Sequence, residues 1–201
     1  METDRKTQII KAAVKRFARH GLNKTTLDEI ARDLRIGKAT IYYYFKSKDE
    51  LFFETIIYDS DLILNDIKTI FNNDSLPLKE RFANYFIYKE NIYEKYKLIY
   101  DLMANLLNDS GFETELEILK KLLKLEESVL RIALSSALAG KSEKMHPTLP
   151  SFLVMASWGM LFSDRFNKIT PPDREFRPAA IFCPGCSQFT IIKPALIFKQ
   201  F

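Results

Sequence analysis

The chain has 201 residues, 47% of them hydrophobic and 28% charged, which suits a soluble globular protein of one or two domains. Its positive charge is uneven, because residues 1–50 carry 12 Lys or Arg against 7 Asp or Glu, while the remainder carries 18 against 19. The sequence lacks an N-terminal signal core and an apolar run of about 20 residues, so we expect a cytoplasmic protein without a membrane partner.

Helices are expected throughout, because long stretches of Leu, Ile, Lys and Glu contain only six glycines. Residues 4–20 predict the first helix, with Gly21 as its C-terminal stop. On one face of this helix a cation recurs every four residues, at Lys11, Lys15 and Arg19. Such a face contacts either solvent or DNA, and solvent is the commoner neighbour of a charge run.

Residues 25–48 predict two short helices joined by a tight turn. Thr26, with Glu29 three residues later, is a capping-box start. The first helix then has one apolar face, made of Leu27, Ile30, Ala31 and Leu34. The pattern restarts around Gly37. The residues that can face inward are Ile36, Ile41 and Phe45, and those that point outward are Lys38, Thr40, Tyr42, Tyr43 and Lys46. A short helix with cations and hydroxyls outside, held by a second helix, is typical of a helix-turn-helix DNA-binding motif.

At these residues the chain resembles the TetR family of bacterial transcriptional regulators. The matching positions lie between Ile9 and Leu51 and are Ala12, Ala13, Phe17, Gly21, Thr26, Ile30, Ala31, Lys38, Thr40, Tyr42, Phe45, Lys48 and Leu51. Three positions depart from the family pattern: Arg35 replaces the usual Gly of the turn, Gly37 a common Ser or Thr, and Tyr44 a frequent His. An Arg in a left-handed turn costs about 1–2 kcal/mol, so we expect this turn to differ in detail.

The resemblance implies an all-α protein with an N-terminal three-helix helix-turn-helix domain and a helical ligand-binding and dimerisation domain. It implies a homodimer that binds double-stranded operator DNA and responds to a small-molecule effector, most often as a repressor. No enzyme signature occurs in the sequence, and we expect neither a catalytic site nor a cofactor. The residues that the resemblance places at the DNA are Thr25, Thr26, Lys38, Ala39, Thr40, Tyr42, Tyr43, Tyr44, Lys46 and Lys48.

Five more helices are predicted downstream, over residues 47–71, 76–93, 95–108, 112–139 and 149–168. Aromatic residues crowd residues 82–103, and at helical spacing such residues usually belong to the core. The resemblance adds a second interpretation, because members of the family bind small molecules between these helices. An aromatic-lined pocket with tyrosine hydroxyls suits an apolar or flat ligand. The predicted lining residues are Tyr85, Tyr96, Tyr100 and Trp158.

Glu126 has two interpretations within the helix predicted over 112–139. An apolar stripe through Leu119, Leu122, Leu123, Leu130, Ala133 and Ala137 places it on the buried face. There its carboxylate needs a partner, either a cationic ligand or a Lys or Arg from a neighbouring helix. If the stripe drifts instead toward Leu125 and Val129, Glu126 lies in water. On the first interpretation Glu126 joins the predicted ligand-binding residues.

The sequence predicts three segments: a DNA-binding domain over 1–48, a ligand-binding and dimerisation domain over 49–169, and an atypical tail over 170–201. The tail holds five of the eight prolines and both cysteines, Cys183 and Cys186. Zinc takes four ligands and neither histidine is near in sequence, so no metal site is predicted. Two rival hypotheses stay open: a regulator of this fold without a small-molecule effector, and a helical carrier of acyl ligands.

Overall fold

The computed structural model describes residues 2–106, 113–138 and 145–162. Within these ranges the regular secondary structure is entirely helical, which confirms the predicted all-α fold. No described helix is both long enough and apolar enough to cross a bilayer. The predicted tail, with Cys183 and Cys186, lies outside the described residues. The helices are α1 Glu2–Lys24, α2 Leu27–Asp33, α3 Lys38–Tyr44, α4 Lys48–Phe71, α5 Leu78–Glu90, α6 Ile92–Lys95, α7 Lys97–Leu106, α8 Glu113–Leu138 and α9 Leu149–Leu161.

The chain divides into two compact units. The first comprises Met1–Asn65 and Tyr93–Leu122, and the second comprises Asp66–Ile92 and Leu123–Phe201. The first unit therefore holds α1, α2, α3 and α7, and the second holds α5 and α9. The helices α4, α6 and α8 each contribute residues to both units. The segment boundaries proposed from the sequence, at residues 48 and 169, stay a prediction.

The first unit is built around the apolar face of α1. Ile9, Ala13 and Phe17 are buried there, as the periodicity predicts. The Phe17 ring meets Phe52 of α4 edge to face, with the ring centroids 5.1 Å apart, a favourable aromatic geometry. Gly21 interrupts the helix with φ 77° and ψ 168°, a conformation that a residue without a Cβ adopts at little cost. The predicted stop at Gly21 is thus a kink, after which the helix runs on to Lys24.

The capping box of α2 forms as the sequence predicts. The Thr26 hydroxyl accepts a hydrogen bond from the Glu29 N–H (3.3 Å), and the Glu29 carboxylate accepts one from the Thr26 N–H (2.9 Å). The turn that follows places Arg35 at φ 54°, the one positive φ of a non-glycine residue in the described chain. The expected left-handed Arg is therefore present, and its strain is about 1–2 kcal/mol.

In the second unit, aromatic packing and one arginine fix the connection from α4 to α5. The Phe71 ring lies 5.0 Å from that of Phe82 and 5.6 Å from that of Tyr85, centroid to centroid. The Arg81 guanidinium donates hydrogen bonds to the carbonyl oxygens of Phe71 (2.9 Å) and Leu76 (2.7 Å). These bonds satisfy carbonyl groups at the end of α4 and in the loop that follows it.

Some predicted boundaries change in the structure. In place of two helices over 76–93 and 95–108, three are present, because α5 ends at Glu90 and the short α6 precedes α7. Asn91 ends α5, and its side-chain amide donates to the Ile87 carbonyl oxygen at 2.8 Å. Thr148 occupies the expected N-cap position of α9 but makes no capping hydrogen bond there, since its hydroxyl lies 2.8 Å from His146 Nδ1. Residues 163–168 of the predicted last helix lie outside the described residues.

Candidate nucleic-acid interface and buried polar cluster

The two faces of α3 separate apolar from polar side chains. Ile41 and the following Phe45 are buried, as predicted. The opposite face exposes Lys38, Ala39, Tyr42 and Tyr43, whereas Thr40 and Tyr44 are half-buried. Among the described aromatic residues Tyr43 is the most exposed, with 71% of its surface accessible. This exposed face is the part of α3 that a macromolecular partner can reach.

Ion pairs lock α2 against α1 and set the position of α3. Arg16 of α1 donates two hydrogen bonds of 2.6 Å to the Asp33 carboxylate and lies 3.7 Å from Glu29. The fork of an arginine fits a carboxylate in this bidentate way, which fixes orientation. The hydrogen bond from Arg16 lowers the pKa of Asp33. Lys38 of α3 lies 2.7 Å from Asp28 of α2, so its ammonium has a carboxylate neighbour within the motif.

Not every residue predicted at the DNA presents its side chain to solvent. Thr25 is 1% exposed, and its hydroxyl donates to the Gly21 carbonyl oxygen at 2.8 Å. The Thr25 side chain is therefore buried, because its hydroxyl closes the end of α1, and a DNA contact by this residue stays a prediction. The half-buried Lys48 donates to the Leu22 carbonyl oxygen at 2.9 Å. Lys46 is exposed, and its backbone N–H donates to Glu50 at 2.6 Å.

The second unit contains a buried polar cluster centred on Glu126 of α8. The Glu126 carboxylate is fully buried and accepts hydrogen bonds from the Tyr85 hydroxyl (2.5 Å) and the Trp158 indole N–H (2.9 Å). Lys89 Nζ lies 2.7 Å from Glu126 Oε1, and Lys89 is fully buried too. Ser157 completes the cluster, with its hydroxyl oxygen 2.7 Å from that of Tyr85. We call these five residues the Glu126 cluster.

The Lys89 ammonium is the least satisfied member of the Glu126 cluster. Its contact with Glu126 has the distance of an ion pair, and Nζ makes no hydrogen bond of good geometry among the described residues. The Trp158 ring centroid lies 3.7 Å from Nζ and supplies a cation–π contact. Burial lowers the pKa of Lys89 to about 8, although the Glu126 carboxylate acts in the opposite direction.

The Tyr85 hydroxyl is held in its neutral form. Burial, and then the negative charge of Glu126, raise the pKa of Tyr85 well above its usual value. Tyr85 is therefore a hydrogen-bond donor to the Glu126 carboxylate. The cluster thus combines one negative charge, one positive charge and a fixed donor, and leaves donor capacity on Lys89.

The structure brings together three of the five predicted ligand-binding residues. Tyr85, Glu126 and Trp158 meet in the Glu126 cluster, whereas Tyr96 and Tyr100 belong to the first unit. Of the two interpretations of Glu126, the buried one is confirmed, with a lysine of a neighbouring helix as partner. The expectation of an exposed Glu126 is wrong.

Sequence reasoning missed Lys89 and Ser157. The signal for Lys89 was its spacing, because it follows Phe82, Tyr85 and Phe86 on the buried face of α5. A cation on one apolar stripe and an anion on another predict a buried pair, provided that the two stripes are compared.

Comparison with known proteins gives one family match. The model of the bacterial regulatory proteins of the tetR family matches residues 9–55. An HTH-type transcriptional regulator of Bacillus subtilis, YhgD, described as uncharacterized, is 26% identical over 188 residues, which are 87% of this chain and 91% of that protein. The Staphylococcus aureus negative transcriptional regulator of the biofilm operon icaADBC, IcaR, is 30% identical over 100 residues, about half of each chain (50% and 54%).

Solved structures share the fold. Escherichia coli NemR in its reduced form superposes with a TM-score of 0.65 over 82% of this chain and 89% of that one, at 14% identity. At this identity the likeness concerns the fold alone. The superposition extends well beyond the segment matched by the family model, so the helical architecture downstream of α4 is shared as well.

Proposed function

Because the chain belongs to the TetR family of bacterial regulatory proteins, we propose that it represses transcription by binding an operator and leaves the DNA when a small effector binds. The observation that carries this proposal is the exposed face of α3, which follows a capped α2 that the Arg16–Asp33 pair joins to α1 and that the Lys38–Asp28 pair joins to α3. A positioned short helix with an exposed outer face is what a major-groove reading head requires.

On the DNA side, we assign two kinds of contact to the exposed residues of the motif. Lys38, Tyr42, Lys46 and Lys48 contact phosphates, because cations and phenol hydroxyls are phosphate ligands. Thr26, which is exposed at the start of α2, stays a predicted contact residue. The residues assigned to contact the base edges are Ala39, Thr40, Tyr43 and Tyr44. The 5 positive charges in excess within residues 1–50 favour this orientation toward an anionic partner.

On the effector side, we assign the binding site to the Glu126 cluster. A fully buried ammonium that makes no hydrogen bond of good geometry among the described residues is costly. A ligand that brings an acceptor oxygen to Lys89 and stacks its apolar part on Trp158 would remove that cost. We therefore expect a small apolar or aromatic effector with a carbonyl or similar acceptor. Tyr96 and Tyr100 stay predicted lining residues.

A homodimer is part of the proposal, since one short reading helix contacts too few bases for useful specificity. The second unit supports this, because α9 exposes Phe152 and Met155, at 65% and 73% of their surface, and α8 exposes Ile132 at 70%. Several large apolar side chains exposed on one protein indicate an interaction surface. A second copy of the chain on this face gives the two-fold symmetry that a palindromic operator matches.

The repressor role is supported by the relationship to IcaR, whose name describes a negative regulator. The ligand must then bind better to the state of the dimer that does not fit the operator, because only a difference in affinity shifts the equilibrium. An activator would show the opposite sign in a reporter assay.

The test begins with selection of DNA from a random pool by the purified full chain, followed by gel-shift titration. We expect enrichment of a two-fold symmetric sequence that binds about 1,000 times more tightly than random DNA. The test variant is Lys38→Met on α3, which should weaken binding. Its matched control is Lys11→Met on the outer face of α1, which should not. Equal affinity for selected and random DNA would refute the operator-binding proposal.

The effector is tested separately with the double variant Lys89→Met/Glu126→Gln, which removes both charges of the cluster. Candidate aromatic carbonyl compounds are titrated against the operator complex, and Trp158 fluorescence reports binding because the chain has one tryptophan. We expect the double variant to bind the operator and to lose the response. A compound that releases both proteins equally well would place the effector site elsewhere.

A further inference from the structure

The exposed face of α3 lacks the side chains that make the strongest base contacts. The helix from Lys38 to Tyr44 contains no Arg, Asn, Gln, Asp or Glu. Arg or Lys reads guanine, Asn or Gln reads adenine, and Glu or Asp reads cytosine through hydrogen bonds at the base edge. Only Lys38 remains from this set, and its ammonium lies 2.7 Å from the Asp28 carboxylate.

What α3 offers instead is apolar surface and hydroxyl groups. Ala39 exposes a methyl group, and Tyr43 exposes a ring, with 71% of its surface accessible. They are four residues apart on α3, so they lie on the same face one turn from each other. The half-buried Thr40 adds a methyl and a hydroxyl beside them. In the major groove, the base feature that such groups recognise is the C5-methyl of thymine.

We propose that α3 reads its operator chiefly through thymine C5-methyl groups, which contact the Ala39 methyl and the Tyr43 ring. The inference rests on the proposed operator-binding function and specifies the chemistry of the DNA sequence. Each half-site then carries A·T pairs at the two positions that face Ala39 and Tyr43. Guanine contributes at most through Lys38, after that ammonium leaves Asp28.

The test uses the operator selected from a random pool by the full chain. Each thymine of a half-site is replaced by uracil, which removes the methyl group and keeps the base pairing. Loss of one buried methyl should weaken binding about fourfold, and symmetric replacement in both half-sites about fifteenfold. Replacing cytosines by 5-methylcytosine is the control for added methyl groups and should not weaken binding at positions that α3 does not contact.

Variants connect each thymine to its residue. In Ala39→Gly, the ratio of affinities for thymine and uracil should fall toward one at one position and stay near four at the other. In Tyr43→Ala, the ratio should fall toward one at the second position and stay near four at the first. Tyr43→Phe keeps the ring, so its ratio should stay near four at both positions. Because each ratio compares two DNAs with the same protein, a general loss of stability in a variant cancels.

The outcomes separate this inference from the proposed function. If the selected operator has G·C pairs at the positions that respond to Ala39→Gly and Tyr43→Ala, or if uracil replaces every thymine without loss, thymine reading is refuted and operator binding stands. Thymine reading is also refuted if Lys38→Met changes the base preference while the protein binds thymine and uracil operators with equal affinity. If the chain enriches no sequence at all, the proposed function falls, and the inference falls with it.

Discussion

Replacing Glu126 by Gln tests the central electrostatic feature of the second unit. The substitution keeps the size of the side chain and removes its negative charge, while Lys89 remains fully buried 2.7 Å away. The new amide can accept hydrogen bonds through only one oxygen. One of the two donors that now reach the carboxylate, Tyr85 or Trp158, then faces an N–H₂ group. The variant therefore leaves a buried cation without a counter-charge and one donor unpaired.

The expected loss follows from these two defects. Removing one partner of a buried ion pair costs about 3–5 kcal/mol, mostly because the remaining charge stays desolvated. A domain is typically stable by only about 5–15 kcal/mol, so Glu126→Gln should remove a large part of the stability of the second unit. In contrast, Lys89→Met/Glu126→Gln removes both charges, and should recover to within about 1–2 kcal/mol of the wild type.

Urea denaturation measures both variants. Helix content is followed by circular dichroism, and the cluster itself by Trp158 fluorescence, at one fixed protein concentration because dimerisation shifts the apparent midpoint. A coupling energy of about 3 kcal/mol or more between the two positions is expected from the cycle of single and double variants. A loss below about 1 kcal/mol in Glu126→Gln, or a double variant no more stable than the single, would refute this reasoning.

The same pair predicts a pH dependence. Burial lowers the pKa of Lys89 from 10.5 to about 8 in the folded protein. Between these two values the unfolded chain holds the proton and the folded chain does not, so stability rises with pH. Below pH 8 both states are protonated, and the penalty is constant. Relative to the double variant, which has neither charge, wild-type stability should therefore increase from pH 8 to pH 10.5. A flat difference curve over this range would contradict the pKa assignment.

Three further predictions concern the first unit. Lys48→Met should weaken binding to operator and random DNA alike and reduce the slope of log affinity against log salt by about one. In the same gel-shift titrations Lys11→Met should leave both the affinity and the slope unchanged. Arg35→Gly should raise the free energy of unfolding, measured by urea denaturation, by up to about 1 kcal/mol. The relief of left-handed strain in the folded chain outweighs the backbone entropy that glycine adds to the unfolded chain. Burial raises the pKa of Asp59 from 3.8 to about 7. Stability is therefore lost as pH rises between these values, and Asp59→Asn should raise the urea midpoint at pH 8 but not at pH 4.

The helix-turn-helix motif was predictable from sequence because its determinants are local. The Thr26–Glu29 capping box spans four residues, and both of its hydrogen bonds form. The alternation that buries Ile41 and exposes Tyr43 follows from the helical period alone. The left-handed Arg35 was expected from the resemblance, because TetR-family members usually carry glycine at this turn position. None of these features depends on a partner from a distant part of the chain.

The position of Thr25 required the tertiary structure. A threonine hydroxyl bonds to phosphate or to a backbone carbonyl with equal ease, so its residue type decides nothing. In the folded chain the hydroxyl points at the Gly21 carbonyl oxygen, because the kink at Gly21 brings that group within 2.8 Å. The family resemblance predicted Thr25 at the DNA, whereas the packing of the folded chain buries its side chain.

The sequence by itself determined where the helices start, which faces are apolar and which short segment presents the reading surface. It left Glu126 open, because a repeat of 3.6 residues per turn allows the apolar stripe of α8 to pass on either side of it. Only the packed second unit decides, since it sets Glu126 against Tyr85, 41 residues away in the chain, and Trp158, 32 residues away. Contacts within one turn are specified by neighbouring residues. A buried charge is specified by the distant side chains that desolvate and pair it, and these meet only when the chain has folded.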